Sequence, residues 1–415
     1  MILRNAEITL RKLASQFKAI ALTGPRQSGK STLARITFPE KKYISLENPD
    51  TRHSAMNDTR GFLKALPNGA IIDEAQRVPE LFSYLQQVLD ESDEKGLFIL
   101  TGSNNFLMLE NISQTLAGRI SYLELLPFCY NEIQKIPDQD QYLNQVIFSG
   151  GYPAITFDHI DPQFWFPSYI RTYIEQDVRQ IKNITNLNLF QKLLYLCAGR
   201  VGQPLNLNNL AIECGVDHKT IGAWIGILQA SYVIHLLPPF YNNFSKRIIK
   251  SPKLYFYDTG LACALLGINS STQLINHSSR GALFENYVIN ELLKKRFNKG
   301  LRSNLFYWRD VSGHEIDVVI DHGSSAYAVE LKSGMTVVSD FFKGLLFWQE
   351  LTKYNKSYII FGGEDAQSGS NGIEIIPWNK LEVLEDINAP TQTARPQPDW
   401  PSPFSGPARS RSAGQ

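Results

Sequence analysis

Residues 24–31 read Gly-Pro-Arg-Gln-Ser-Gly-Lys-Ser, the G-x-x-x-x-G-K-[ST] spacing of a phosphate-binding loop. Gly24 and Gly29 free the backbone to wrap, so that successive N–H groups face phosphate oxygens at the start of a helix. The expected nucleotide-binding set is Gly24, Pro25, Arg26, Gln27, Ser28, Gly29, Lys30, Ser31 and Thr32. Lys30 would reach the β- and γ-phosphates of ATP, and the Ser31 hydroxyl would ligate Mg²⁺. The apolar run at 19–22 predicts a strand entering the loop and 32–35 a helix leaving it. Residues 69–74, Gly-Ala-Ile-Ile-Asp-Glu, predict a second strand, ending in two carboxylates. Asp73 would hold Mg²⁺ through water, and Glu74 would orient and deprotonate the attacking water. A third apolar strand, 97–102, leads into Ser103 and Asn104, either of which could contact the γ-phosphate or the lytic water.

A second group of chemical residues lies near the other end. Strands are predicted at 305–308, 315–320 and 326–332. Period-two geometry puts Glu330 and Lys332 on one face of their strand. If Asp317 faces the same way, Asp317, Glu330 and the Leu331 carbonyl form a hard oxygen set for Mg²⁺, with Lys332 positioning or activating water. Glu285, on a predicted helix at 283–297, could supply a further ligand. A helix at 341–351 and a strand at 358–361 would complete an α-β-β-β-α-β order.

The elements that must hold these groups follow from periodicity. Apolar strands with polar carboxyl ends, separated by helical stretches such as 81–89, describe an α/β fold: a parallel sheet with helices on both faces and its site along one edge. Residues 210–221 read as a helix, a Gly turn and a second helix capped by Asp217, with Ile221, Trp224, Ile225 and Leu228 as its buried face. That is a helix-turn-helix signal, with residues 232–240 expected as winged-helix wing strands. The segment 241–247 with Lys250 is basic and aromatic, although only His218 and Lys219 open the second helix as donors. The expected units are a P-loop domain at 1–130, a helical and winged-helix segment at 131–250, a C-terminal α+β unit at 251–388 and a disordered tail at 389–415.

The motifs resemble those of a known group. Residues 22–32, Ser45-Leu46-Glu47, Ile72-Asp73-Glu74-Ala75-Gln76, Thr101-Gly102-Ser103, Leu116-Ala117-Gly118-Arg119 and 250–261 are similar to the bacterial and archaeal AAA+-type ATPases whose P-loop domain is joined to a restriction-endonuclease-like domain. The resemblance implies a sensor role for Ser103 and places Arg119 near the nucleotide as an arginine finger or sensor. It also implies a PD-(D/E)XK fold at the C-terminus, with Asp317, Glu330 and Lys332 at the motif positions and Glu285 as the helical acid.

Composition limits the partners. The chain has 415 residues, a formal charge of +1 and a pI near 7.6, which gives no global field toward nucleic acid or anionic membrane. Any DNA contact must be local. Four scattered cysteines and seven scattered histidines form no metal-ligand spacing. No signal-peptide core or apolar membrane span is present, so a reducing cytoplasm is the expected compartment. Two function classes remain: an ATPase, hence a hydrolase, that controls a DNA-binding or nuclease-like domain, and a nucleotide-dependent switch with a non-catalytic docking module. A homo-oligomer follows if Arg119 acts in trans, and a monomer suffices if it acts in cis.

Overall fold

The computed structural model describes residues 3–102, 116–134, 142–174, 186–241 and 248–384, except 355, 366 and 369–371. Strand β1 (Ala19–Thr23) is buried along its whole length. Its alternate residues serve two cores, as the pleat requires. Ile20 and Leu22 pack with α1 (Ala6–Ala14) and α2 (Lys30–Thr37). Ala19 and Ala21 pack with the opposite layer, α3 (Pro49–Asn57), α4 (Thr59–Lys64) and α5 (Glu80–Glu91). With β2 (Lys42–Ser45), β3 (Ala70–Asp73), β4 (Phe98–Gly102) and β5 (Ile120–Glu124), β1 forms a five-stranded sheet of order β2-β3-β4-β1-β5. All its pairs are parallel, so the carboxyl ends of β1, β3 and β4 lie on one edge. Thr23 is level with Gly102 and Asp73 with Thr101.

Helices Leu207–Cys214 and His218–Ala230 form the predicted pair. Gly215 turns between them at φ 73°, and the Asp217 carboxylate caps the second helix by accepting from Lys219 N and Thr220 N. Ile221, Trp224, Ile225 and Leu228 are all buried. The wing differs from expectation: only β6 (Ile234–Leu237) falls in 232–240, and its antiparallel partner is β7 (Lys253–Phe256). The expected junction at residue 250 therefore lies inside this ribbon. The basic stretch at 242–247 and the tail at 389–415 lie outside the described residues.

At the C-terminus a helix, Arg280–Phe297, precedes the antiparallel strands β8 (Leu305–Arg309), β9 (Glu315–Asp321) and β10 (Ala326–Lys332). After helix Lys343–Thr352, β11 (Ser357–Phe361) runs parallel to β10; β12 (Gln367–Ser368) and β13 (Ile373–Pro377) complete the order β12-β13-β11-β10-β9-β8. Val318, Ile320, Val329 and Leu331 face the first helix, while Ala326, Ala328, Ile359 and Phe361 face Leu345 and Trp348 of the second. The first of these cores is continuous with the middle helices, from Leu126 to Leu384. Among the described residues, no helix is long and apolar enough to cross a membrane.

Candidate functional site

The loop between β1 and α2 has the wrapped backbone its glycines predict. Gly24 lies at φ 145° and Gly29 at φ 93°, and a Cβ on Gly24 would collide with the Leu125 carbonyl oxygen. Gln27, without a glycine's freedom, also sits at φ 60°. Lys30 is buried, and its Nζ donates to the Gly24 carbonyl at 3.0 Å and to the Pro25 carbonyl at 2.6 Å. Its ammonium is thus folded into the turn it is expected to serve. The Ser28 hydroxyl is buried there without a hydrogen-bond partner among the described residues.

Arg4 braces the loop from a distance that sequence spacing could not reveal. Its guanidinium donates to the Ser28 carbonyl at 2.8 Å, to the Leu126 carbonyl at 2.7 Å and to Glu132 at 3.2 Å. Both members of the Arg4–Glu132 pair are buried, which makes a fully bonded fork necessary.

On the same edge, Asp73 ends β3. Tyr43 of β2 donates to its Oδ2 at 2.7 Å, and the Thr101 hydroxyl of β4 donates to its Oδ1. Burial, followed by the bond to Asp73, pushes the Tyr43 phenol up to about 12, so it stays a neutral donor. Glu74 is in the left-handed region at φ 54°, a strained position for a residue with a side chain. The Gln76 amide donates to its Oε2 at 2.7 Å. Burial raises the Glu74 pKa, against the opposing pull of Lys30 and Arg26. Lys30, Asp73 and Glu74 thus lie on one edge of the sheet, where β4 separates the end of β3 from that of β1. Ser103 and Asn104 lie outside the described residues.

Arg119 is not brought to them. It precedes β5, at the amino end of the sheet, where Ile120 is level with Ala19. The loop begins at the other end of β1, about 13 Å along the strand. The Arg119 guanidinium instead forks onto Asp90 near the end of α5, with Nη2 to Oδ2 at 2.9 Å. Proximity to the nucleotide within one chain is therefore corrected: parallel strand order puts the residue before β5 on the far edge.

The C-terminal carboxylates are close but differently arranged from the predicted ligand set. Asp317 Oδ2 accepts from Leu331 N at 2.8 Å, which places it beside β10 as expected. Glu330 Oε1 pairs with Lys332 at 2.6 Å, while its buried Oε2 has no hydrogen-bond partner among the described residues. Burial, and then the Asp317 charge, raise Glu330 to about 8. Glu285, the predicted helical ligand, turns to Lys253 of β7 at 2.9 Å and accepts from the Tyr255 hydroxyl. Lys253 also reaches Glu315 at 2.5 Å; its side chain is only 3% exposed, and the surrounding carboxylates overcome desolvation to raise its pKa. Arg309 is a second partner of Glu315, at 3.4 Å. Among the described residues no three or more His, Cys, Asp or Glu side chains gather into a group that could hold a metal ion. The expected set of Glu285, Asp317 and Glu330 as ligands to one ion is corrected accordingly: Lys253, from a strand outside this sheet, satisfies Glu285 in place.

Sequence reasoning missed Arg4, Tyr43, Gln76, Lys253 and Tyr255 as partners of these sites. Gln76 follows Glu74 by two residues and was within reach of a local reading. The others act across long separations and carry no local signal.

The N-terminal unit has the parallel sheet and wrapped loop of a P-loop domain, and residues 16–134 match the family described as AAA domain. Residues 140–272 match a domain of unknown function, DUF8612, and residues 280–381 another, DUF4143. Over 392 residues the chain is 28% identical to an uncharacterized protein of Mycobacterium tuberculosis, covering 93% of this chain and 86% of that one. An uncharacterized protein of Methanocaldococcus jannaschii is 24% identical over 351 residues, covering 76% of this chain and 74% of its own. A solved Walker-type ATPase of Pyrococcus abyssi is similar at a TM-score of 0.43 and 15% identity, over 63% of this chain and 95% of that one.

Proposed function

We propose that this protein binds ATP at the 24–32 loop and hydrolyses it with Mg²⁺, and that nucleotide state is passed to the helix-turn-helix and C-terminal units. One observation carries the reading: Lys30, Asp73 and Glu74 share the carboxyl edge of the parallel sheet, with Asp73 oriented by the uncharged hydroxyls of Tyr43 and Thr101. Uncharged donors fix the carboxylate without cancelling its charge, which suits a group that must still attract a cation. The Ser31 hydroxyl and Asp73 would hold Mg²⁺, whose chemistry is to screen the phosphate oxygens. Glu74 would take the proton of the attacking water. Ser103 would act as the sensor, and a finger role for Arg119 would require a second copy of the chain. The boundaries at 130 and 388 are proposed as approximate limits of the units, while the β6–β7 ribbon carries the middle unit past the expected limit at 250.

For the C-terminal unit the switch reading is favoured over cleavage, because Lys253 and Lys332 already compensate Glu285, Glu315 and Glu330. A nuclease reading keeps one specific support, the unpartnered Glu330 Oε2 in a neighbourhood that feels the Asp317 charge. In that reading Lys332 would position the water, and the helix-turn-helix pair would contact DNA. Magnesium-dependent nicking of plasmid, abolished by Glu330→Ala, would favour it; no nicking leaves the docking reading.

The ATPase reading is tested by two variants in one assay. Lys30→Ala should abolish tight ATP binding. Glu74→Gln should keep binding while turnover falls by about 10²- to 10⁴-fold, as for a lost general base. Parental turnover in folded Glu74→Gln, or parental affinity in Lys30→Ala, rejects the assignment.

A further inference from the structure

Tyr232 stands just beyond the second helix of the helix-turn-helix pair, yet its hydroxyl lies at the base of the phosphate loop. It is 3.0 Å from Thr23 Oγ1 and donates to Glu124 Oε2 at 3.2 Å. Thr23 is the last residue of β1, immediately before Gly24, and Glu124 is level with it on β5. A phenol has one hydrogen to give, so donation to Glu124 leaves its oxygen to accept from Thr23. One side chain from another unit thus ties two neighbouring strand ends under the loop. Tyr232 is 2% exposed and held at φ 56°, a costly backbone for a bulky residue unless its surroundings enforce it.

The contacts continue beyond it. The Tyr232 ring lies 5.5 Å from that of Tyr257, and Tyr257 lies 4.9 Å from His235. His235 Nε2 is 3.0 Å from Asn290 Oδ1 on helix Arg280–Phe297. Asn290 and Asn286 both donate to the Phe256 carbonyl, fastening that helix to β7. The same helix carries Glu285, and the same strand carries Lys253. A series of buried and, at Tyr257, half-buried side chains therefore joins the residue before the loop to the helix over the C-terminal sheet. At its loop end stands an arrangement that ligand must change: the Lys30 ammonium bonded to the Gly24 and Pro25 carbonyls. An entering phosphate competes for that ammonium and alters the pull on the backbone next to Thr23.

We propose that Tyr232 is the positioning residue through which the phosphate loop and helix Arg280–Phe297 sense each other, its hydroxyl bond to Thr23 being the coupling contact. This rests on the reading that the loop binds ATP. A Phe at this position would fill the same space, so the hydroxyl alone distinguishes coupling from packing.

The test uses the full chain and hydrogen exchange with and without a non-hydrolysable ATP analogue. In the parent, analogue should change exchange in peptides covering 232–237, 253–257 and 280–297 by about fivefold or more, the low end of a measurable coupling. Tyr232→Phe should bind the analogue within about threefold of the parent while losing most of that distal change. Thr23→Val, which removes the same bond from the other side, should lose it too, whereas Thr23→Ser should keep it. A parent that binds the analogue without distal change overturns the coupling but leaves the ATP reading intact, and so does a Tyr232→Phe or Thr23→Val protein that keeps the full change. A parent that binds no analogue rejects the ATP reading and the coupling with it.

Discussion

Asp73 beside the phosphate loop and the carboxylates of the C-terminal unit stand in opposite company. Asp73 is oriented by a tyrosine hydroxyl and a threonine hydroxyl. Glu285, Glu315 and Glu330 are each paired with a lysine. Neutral donors hold a carboxylate in place and leave its charge for a ligand still to come. Lysines supply the charge themselves, so the acidic group is balanced as it stands. Motif residues of the same chemical type can therefore mark a poised site in one domain and a completed ionic joint in another.

The largest effect should come from removing the balancing charge. Lys253→Met leaves the half-buried Glu285 and Glu315 without their shared buried ammonium, and since breaking a fully buried pair on one side costs about 3–5 kcal/mol, a loss of up to that size is expected. Denaturant unfolding should show this loss, and adding Glu285→Gln should recover part of it. Unchanged stability in Lys253→Met would break the contrast, because the C-terminal acids would then need no counter-ion.

A pH series should sharpen it. Glu330 is raised from 4.5 to about 8 by burial and by Asp317. Below the lower value the group is protonated in both states and costs nothing. Between the two, the folded protein keeps a proton that the unfolded chain has lost, so stability falls as pH rises, and the full cost is present above about 8. Glu330→Gln should flatten that decline. A parental slope in the Glu330→Gln protein would mean another group produces it.

The smallest effect belongs to the neutral donors. Tyr43→Phe removes one bond from a neutral donor to Asp73, which at this exposed position is worth about 1 kcal/mol, or roughly fivefold in an equilibrium constant. The Mg²⁺ dependence of ATP turnover should shift by about that factor with little change in melting temperature. A loss of stability as large as that of Lys253→Met would show that Tyr43 is structural and erase the distinction between the two regions.

Much of this architecture is legible residue by residue. The run 24–31 implies its own wrapped backbone, because a glycine at Gly24 is what the approach of Leu125 permits. Apolar runs predict β1, β3, β4, β9 and β10, and the Gly215 and Asp217 signals set the turn between the paired helices. These are local determinations: spacing, caps and turn residues act within a few positions of themselves. The partners of the same residues were decided by tertiary structure. Strand order sends Arg119 to the far edge of its sheet, the ribbon delivers Lys253 to acids on another sheet, and Arg4 reaches Ser28 and Glu132 only after the chain closes. Nothing near Tyr232 in sequence points to Thr23, yet packing puts their oxygens 3.0 Å apart. Sequence spacing specifies which groups can do chemistry because that depends on residue type and local backbone; what each group faces depends on which distant elements pack together, and no local pattern encodes that choice.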